Sequence, residues 1–200
     1  MKENPISKVE RFRENNARVR FLEPAEEKRL RRALPKEREP EVVLAMNTGM
    51  RRGEQFALKW TDVSIGRRLI TIERSKNGEK RHIELNDEAF DAIRALRARG
   101  LKTGSEFVVP STESEREGNY PYWFETAVAE AKIKNFRWHD LRHTFASRLI
   151  MAGNDLRTVQ ELMGHKTMSM TVRYAHLSAP HKREAVQSLK KYTPKEEPKS

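Results

Sequence analysis

The chain has 200 residues, and its 40 lysines and arginines against 29 aspartates and glutamates give a net charge of +11. This excess predicts a polyanionic partner such as nucleic acid, although ribosomal proteins, RNA chaperones and lipid-surface proteins share it. The lack of cysteine excludes disulfides, thiolate metal sites and a cysteine nucleophile. No stretch resembles a signal peptide or approaches the ~18 apolar residues of a membrane span. We therefore expect a cytoplasmic protein that does not contact the membrane.

The N-terminal region is predicted to contain an arm followed by three helices. Residues 1–21 are polar and basic and form the predicted arm, and residues 22–178 form one domain with a core. Pro24 opens the first predicted helix, and the second stops at Gly49, a favoured C′ residue. The third, RGEQFALKW, begins just after Arg51. That position would put Arg51 at a helix N-terminus, where backbone amides favour a phosphate.

A small sheet is predicted next. The segments DVSI, RRLITIER and KRHIEL alternate apolar and polar positions and carry β-branched residues. Gly66 and the pair Asn77-Gly78 are turn signals between them. The sequence therefore predicts a three-stranded antiparallel sheet within a mainly α (α+β) domain. Lys76 lies in the second hairpin of this sheet.

Helices return after the sheet. Asn86 and Gly100 are the predicted N-cap and terminator of the first of them. YPYWFETAVAEAKI is the next predicted helix, and its aromatic residues are expected in the core: Tyr120, Tyr122, Trp123 and Phe124. HDLRHTFASRLIMAGN predicts a longer helix with a buried stripe to one side of His139 and Arg142. That stripe consists of Leu141, Phe145 and Leu149.

The C-terminal part contains three further short segments. DLRTVQELMG is a predicted helix that ends at Gly164, and SMTVRYAHL is predicted to carry Tyr174 on a short helix of its own. Ser178 can cap another helix, with Pro180 in its first turn, within the C-terminal segment of residues 179–200. The final stretch KKYTPKEEPKS is predicted to be disordered.

Six side chains suited to phosphodiester chemistry occur in order along the chain: Arg51, Lys76, His139, Arg142, His165 and Tyr174. A tyrosine that attacks phosphorus forms a covalent phosphotyrosine, which replaces one hydrolysis by two reversible ester exchanges. Two guanidiniums can stabilise the charge that develops on the phosphate oxygens. The lysine suits the general acid that protonates the leaving alkoxide, and the histidines can hold or move protons. A free phenol titrates near pH ~10, so Tyr174 needs either a base or strongly positive surroundings to react at neutral pH. We expect the other groups of the set to supply those surroundings.

Each residue has an ordinary structural explanation when it is taken alone. Tyr174 could be a half-buried helix tyrosine, Lys76 a polar turn residue, and His165 a residue favoured by a helix dipole. His139 and Arg142 are three residues apart and therefore share a helix face. The complete ordered set is what favours a catalytic site.

Four segments carry a resemblance to a known family: TGMRRGEQFALKWTDV, RSKNGEKRHIEL, WHDLRHTFASRLI and LMGHKTMSMTVRYAHL. They resemble the successive signature boxes of the tyrosine recombinases, which include phage integrases and Xer-type resolvases. The resemblance implies that Tyr174 is the nucleophile. It also implies catalytic roles for five further residues: Arg51, Lys76, His139, Arg142 and His165.

Two of these assignments have rivals. Arg52 adjoins Arg51, but the box places the catalytic guanidinium directly after Thr-Gly-x, which favours Arg51. Lys80 lies in the same hairpin as Lys76 and is the alternative general acid.

Four neighbours of the predicted site have supporting interpretations. His143 and His176 are interpreted as structural or supporting histidines, although the sequence HDLRH leaves His143 able to touch the site. Glu54 and Asp140 are expected to orient the arginines by ion pairing.

The resemblance implies a site-specific DNA recombinase that cleaves and rejoins strands through a 3′-phosphotyrosyl intermediate. It implies double-stranded DNA as the partner and a homotetramer on DNA, with no cofactor, metal, ATP or small-molecule substrate. A type IB topoisomerase-like relaxation of DNA and a non-catalytic basic DNA-binding regulator are the alternatives.

The helix after Ser178 would fold back on its own domain or dock in trans on a neighbouring protomer. A DNA-clamping domain usually precedes the catalytic one, so a catalytic fragment or a naturally short protein is expected.

Overall fold

The computed structural model describes residues 19–73, 80–110, 121–178 and 186. Helices dominate these ranges: α1 Pro24–Ala33, α2 Glu39–Thr48, α3 Arg52–Phe56, α4 Asp87–Thr103, α5 Tyr122–Glu130, α6 Trp138–Met151, α7 Leu156–Met163 and α8 Ser169–Val172. Two 3₁₀ turns lie at Trp60–Asp62 and Ala175–Leu177. The strands are β1 Val63–Ser64, β2 Leu69–Glu73 and β3 Lys80–Glu84. The predicted mainly α fold with a small sheet is confirmed.

The sheet is antiparallel in the order β1-β2-β3, as predicted. Its register pairs Ile70 with Ile83 and Ile72 with Arg81. Because side chains alternate across a strand, Arg81 shares the inner face with the buried Ile83, whereas the exposed Lys80 lies on the outer face. The register thus directs one cation of β3 inward and one to solvent.

The core consists of two hydrophobic clusters joined by α6. The larger cluster takes residues from α1, α2, the sheet, α4 and α5 and reaches Leu141 on α6. The smaller one contains Ala146 and Ile150 of α6, together with Val159, Met163 and Tyr174. Tyr174 is 1% exposed and is among the largest fully buried side chains of the described residues. One helix therefore holds the predicted nucleophile against the rest of the domain.

Aromatic packing fixes the beginning of α6. The ring of Trp138 meets Phe56 edge-on with centroids 5.1 Å apart and Phe124 with centroids 5.0 Å apart. Trp123 completes this group at 5.7 Å from Trp138. Edge-to-face contacts of this kind contribute about 0.5–1.5 kcal/mol each beyond area burial. They anchor the turn from which His139 and Arg142 project.

Several predicted helix ends are confirmed. Gly49 ends α2 with φ +59°, a left-handed conformation that favours glycine, and Gly164 ends α7 in the same way. The Asn86 side chain caps α4 by accepting the backbone N–H of Ala89 at 2.9 Å. Arg51 is the N-cap of α3, as expected.

The predicted end of α4 at Gly100 is wrong. The helix continues to Thr103 and ends at Gly104, which has φ +65°. Gly100 has a packing role, because a Cβ there would lie 3.2 Å from Nε1 of Trp60. The small residue admits the indole ring against the helix, and it does not break the helix.

The third helix is shorter than predicted, since α3 ends at Phe56. Leu58 accepts a backbone hydrogen bond from Val108 at 2.8 Å, and Trp60 donates one to Glu106 at 3.0 Å. These bonds hold the chain after α3 extended against another segment. A long-range pairing has overridden the helical pattern.

The predicted placement of four residues also needs correction. Tyr122 is 80% exposed on α5, not in the core, whereas Phe124 is 1% exposed as expected. On α6, Phe145 and Leu149 are only partly buried, because the deepest positions of the second cluster are Ala146 and Ile150. Tyr174 lies between α8 and the last 3₁₀ turn, not within one helix.

Some predictions fall outside the described residues. They concern Lys76 in the hairpin, Tyr120, the arm before residue 19 and nearly all of the segment after Ser178. Within the described part of the chain, no helix has the length and apolar character needed to cross a membrane.

Replacing Gly49 by alanine should destabilise the protein strongly. The alanine would have to adopt a left-handed backbone conformation, and its Cβ would lie 2.3 Å from Cδ1 of Phe145. We expect the free energy of unfolding in urea to fall by at least about 2 kcal/mol. Gly104→Ala is the matched control, since its φ is +65° with nothing within 4 Å of the added atom. It should cost about 1 kcal/mol, and an equal loss in both variants would contradict the packing argument.

Candidate active site

Arg142 connects the ends of two helices. Its Nη1 donates to the carbonyl of Gly49 after α2, and its Nη2 donates to the carbonyl of Met163 at 2.6 Å at the end of α7. Carbonyls at helix C-termini lack partners within the helix and carry partial negative charge, so they suit a guanidinium. The side chain is 4% exposed. Arg142 is thus held in one orientation between the two hydrophobic clusters.

Arg51 lies beside Arg142 and uses the same helix end. Its Nη2 donates to the carbonyl of Gly164 at 3.2 Å, and its Nη1 pairs with Glu54 at 2.8 Å. The two guanidiniums face one another closely enough for Arg51 to lower the pKa of Arg142. Burial is the larger cause, and together they bring that pKa to about 10. Arg142 therefore remains charged at neutral pH, and its repulsion with Arg51 favours binding of an anion beside them.

Glu54 organises the Arg51 side of the site. It accepts two hydrogen bonds from Arg81, each 2.8 Å long, and one from the backbone N–H of Arg51 at 2.7 Å. Burial raises the pKa of this carboxyl, but hydrogen bonds and charge attraction from Arg81 and Arg51 outweigh it and lower the pKa to about 2. The expected ion pair between Glu54 and Arg51 is confirmed. Arg81 ties it to the inner face of β3.

The hydroxyl of Tyr174 is hydrogen-bonded to Nδ1 of His143 over 2.6 Å. Burial raises the pKa of the phenol, Arg142 and Arg173 lower it, and the result is about 12. The expectation that positive surroundings would activate this phenol is wrong for the structure described, because burial outweighs the nearby charges. Tyr174 is a protonated, enclosed phenol.

The other two histidines differ in exposure. His165 follows the end of α7, and its Nδ1 is 2.8 Å from Oγ1 of Thr171, which fixes the ring. Burial, and then the charge of Arg142, lowers its pKa to about 4, so the ring is neutral at pH 7. His139 is an exposed residue on α6, and its pKa is lowered by partial desolvation and then by Arg142 and Arg51. Both imidazoles lie in the positive field of the arginines.

The structure brings together five of the six predicted site residues: Arg51, His139, Arg142, His165 and Tyr174. Lys76 lies outside the described residues, so its role stays a prediction. Its rival Lys80 is exposed on the outer face of β3, where Nζ pairs with Glu73 at 2.7 Å. Asp140 accepts the backbone N–H of Arg137 at 2.7 Å and closes the first turn of α6.

Arg81 and Arg173 were not predicted as residues of the site, and His143 was predicted only as able to touch it. The contact of His143 with the phenol depends on where Tyr174 packs, which no local pattern encodes. Arg81 could have been noticed as a polar residue at an inward position of β3. Arg173 adds positive charge near the phenol and the three histidines. Within the described ranges, no three His, Asp or Glu side chains are grouped so that they could hold a metal ion.

The chain is similar in sequence and in structure to known proteins. A family model described as the phage integrase family matches residues 15–181. The integrase of Salmonella phage P22 is 33% identical over 189 residues, which cover 88% of this chain and 48% of that protein. The catalytic domain of bacteriophage HP1 integrase has a similar structure, with a TM-score of 0.63 and 26% identity over 92% of this chain and 100% of that one.

A third likeness shows the fold alone. The Tn1549 transposon integrase, solved in complex with transposon right end DNA, aligns with a TM-score of 0.70 and 19% identity. It covers 96% of this chain and 72% of that chain.

The fold is that of the tyrosine recombinase catalytic domains. The chain belongs to the phage integrase family, whose model matches it over most of its length. It spans about half the length of the curated integrases that it matches.

Glu54→Gln should test the network that holds Arg51. The folded-state pKa of about 2 lies below the ordinary 4.5, so Glu54 stabilises the fold fully above pH 4.5 and loses this effect as pH falls towards 2. The lowered pKa corresponds to about 3 kcal/mol at neutral pH for this buried carboxyl. Urea unfolding should show that loss near pH 7 and a shrinking difference from the unmodified protein as pH falls. Glu84→Gln, at an exposed position of β3, should change little; a pH-independent difference for Glu54→Gln would contradict the argument.

Proposed function

We propose that this chain is the strand-transfer domain of a site-specific DNA recombinase, with Tyr174 as the nucleophile. The observation that carries the proposal is the position of Arg142. It is fixed by the carbonyls of Gly49 and Met163, it lies next to Arg51, and its charge acts on Tyr174. Two oriented guanidiniums beside a phenol are what attack on a phosphodiester needs.

The reaction would consist of two ester exchanges. The oxygen of Tyr174 forms a bond to phosphorus, the bond to the 5′ oxygen breaks, and the 3′ side of the strand remains covalently attached. The leaving 5′ oxygen takes a proton from a general acid, for which Lys76 stays the predicted residue. A 5′ hydroxyl from a second strand then attacks the phosphotyrosine and restores the phenol. Arg51 and Arg142 would stabilise the added charge on the non-bridging oxygens during both steps.

DNA binding must open the site. Tyr174 is 1% exposed and Arg142 is 4% exposed, so a phosphate cannot reach both while the segment after α8 is packed against α6. The 3₁₀ turn and the short α8 connect Tyr174 to the domain through few residues. Movement of the chain on either side of Tyr174 would give the phosphate access while the phenol stays against His143. The closed arrangement keeps the nucleophile away from water and from unspecific phosphates.

Double-stranded DNA is the proposed substrate. The net charge of +11 suits a polyanion, and the Tn1549 integrase with a similar fold was solved with DNA. A homotetramer on DNA is proposed as the exchanging unit, since exchange requires two cleaved duplexes. The enclosed phenol beside two fixed arginines favours this function over a non-catalytic DNA-binding regulator, for which such a site would serve no purpose.

Tyr174→Phe should abolish the covalent adduct. The substrates would be a pool of nicked duplexes with a randomised centre, and the adduct would be detected on denaturing gels and located by peptide mapping. DNA binding, measured by gel shift, should persist because the ring still fills the cluster around Met163. An adduct that survives in this variant would falsify the assignment of the nucleophile.

Arg142→Lys should slow adduct formation by about 100-fold to 1,000-fold, because an ammonium cannot keep the two carbonyl contacts and also present a fork to the phosphate. Single-turnover rates of adduct formation are the measurement. Arg137→Lys, exposed at the start of the same helix, is the matched control and should keep the normal rate. If Arg142→Lys reduced only the affinity for DNA, the regulator would be the better explanation.

A further inference from the structure

His143 makes a direct contact with the reacting oxygen of the proposed nucleophile. Its Nδ1 lies 2.6 Å from the hydroxyl of Tyr174, with the ring centroids 5.8 Å apart. The contact fits the tautomer in which Nδ1 accepts the phenolic hydrogen and Nε2 carries the hydrogen of the neutral ring. This is the arrangement of a nucleophile with its base.

The other basic groups around the site are engaged elsewhere or lie towards solvent. Asp140, whose charge raises the pKa of Tyr174, accepts the backbone N–H of Arg137. Nδ1 of His165 is bonded to Thr171, and Glu54 is held by two arginines. His139 meets the ring of His143 edge-on, with centroids 4.9 Å apart, and lies towards solvent. The geometry therefore singles out His143 among the described residues.

We infer that His143 is the general base that takes the phenolic proton of Tyr174 as its oxygen attacks phosphorus. The inference rests on the proposed function and adds a catalytic residue to the six that the sequence indicated. In cleavage the O–H bond of the phenol breaks, an N–H bond forms on Nδ1, and the oxygen lone pair makes the bond to phosphorus. In rejoining, His143 returns this proton to the departing tyrosine oxygen.

The charges around His143 keep it ready to accept a proton. It is faced by His139 and Arg142 from α6, by His165 after α7, and by Arg173 next to the phenol. Burial first, and then these groups, lower its pKa to about 4, so the ring is neutral at pH 7. Because the phenol has a pKa of about 12, complete transfer before attack is strongly unfavourable. The proton must therefore move while the bond to phosphorus forms, which is general-base catalysis.

The test uses His143→Asn. An asparagine side chain can still accept the hydrogen bond of the phenol, but it cannot take the proton. His176→Asn, an exposed histidine two residues after Tyr174, is the matched control. Single-turnover adduct formation is measured on nicked duplexes with an ordinary phosphodiester and with a 5′-bridging phosphorothiolate. The sulfur leaving group needs no general acid, so it separates loss of the base from loss of the acid.

We expect His143→Asn to slow adduct formation by about 100-fold or more on both substrates. On the phosphorothiolate, the unmodified enzyme should show a flat rate between about pH 6 and 9, because a base with a pKa of about 4 is already available. The variant should instead gain about tenfold per pH unit, since its phenol must ionise without help. His176→Asn should behave like the unmodified enzyme.

Four outcomes would overturn the inference. The first two are an unchanged rate in His143→Asn and a faster rate, and a faster rate would mean that the contact restrains Tyr174. The third is a normal rate of the variant on the phosphorothiolate, which would assign His143 to protonation of the leaving group. The fourth is a rate of the variant that does not change with pH. The melting temperature and DNA affinity of the variant show whether it folds. If it does not fold, the pH dependence of the rate of the unmodified enzyme on the phosphorothiolate tests the inference. A tenfold rise in that rate per pH unit would contradict an available base. Absence of any adduct with the unmodified enzyme would instead contradict the proposed function.

Discussion

The bonds from the Arg142 guanidinium to two helix-end carbonyls are the interaction on which this structure depends. One carbonyl belongs to Gly49, in the larger part of the core, and the other to Met163, in the smaller part. A buried guanidinium needs partners for its donors, and carbonyls at helix C-termini supply them without a neutralising carboxylate. The charge therefore remains available for an anion. The same side chain that joins the two clusters also creates the positive field in which the predicted site residues lie.

Burial, together with that field, sets the protonation of the site. Burial and the arginines lower the pKa of His143 and of His165 to about 4, while burial raises the pKa of Tyr174 to about 12. All three side chains are neutral at pH 7, so the site carries its positive charge on arginines. A phosphate bound between Arg51 and Arg142 would offset the repulsion between them. Substrate binding would thus relieve an electrostatic cost that folding imposes.

The two arginines are oriented by different means, and this matters for function. Arg142 is held by backbone carbonyls, whereas Arg51 is held partly by Glu54, which Arg81 clamps from β3. The β2–β3 hairpin, which contains the predicted general acid Lys76, is thereby connected to Arg51 through the side chains of Arg81 and Glu54. A shift of the hairpin would change the position of the Arg51 guanidinium. The chemistry proposed for this site depends on the buried phenol becoming accessible.

The sequence by itself determined the class of fold and most of the site. Local signals were sufficient for the three strands, for the helix ends at Gly49 and Gly164, and for the ordered set from Arg51 to Tyr174, because turns, caps and motifs are encoded by neighbouring residues. Predictions from the sequence were wrong where contacts with residues distant in the chain determine the local structure. Helix α4 continues through Gly100, where the ring of Trp60 packs against the helix. Helix α3 ends early because Leu58 accepts a backbone hydrogen bond from Val108. Only the tertiary structure decided that His143 holds the phenol, that Arg81 holds Glu54, and that burial outweighs charge at Tyr174. Each of these depends on which side chains fold together and exclude water, and that information is not local in the chain.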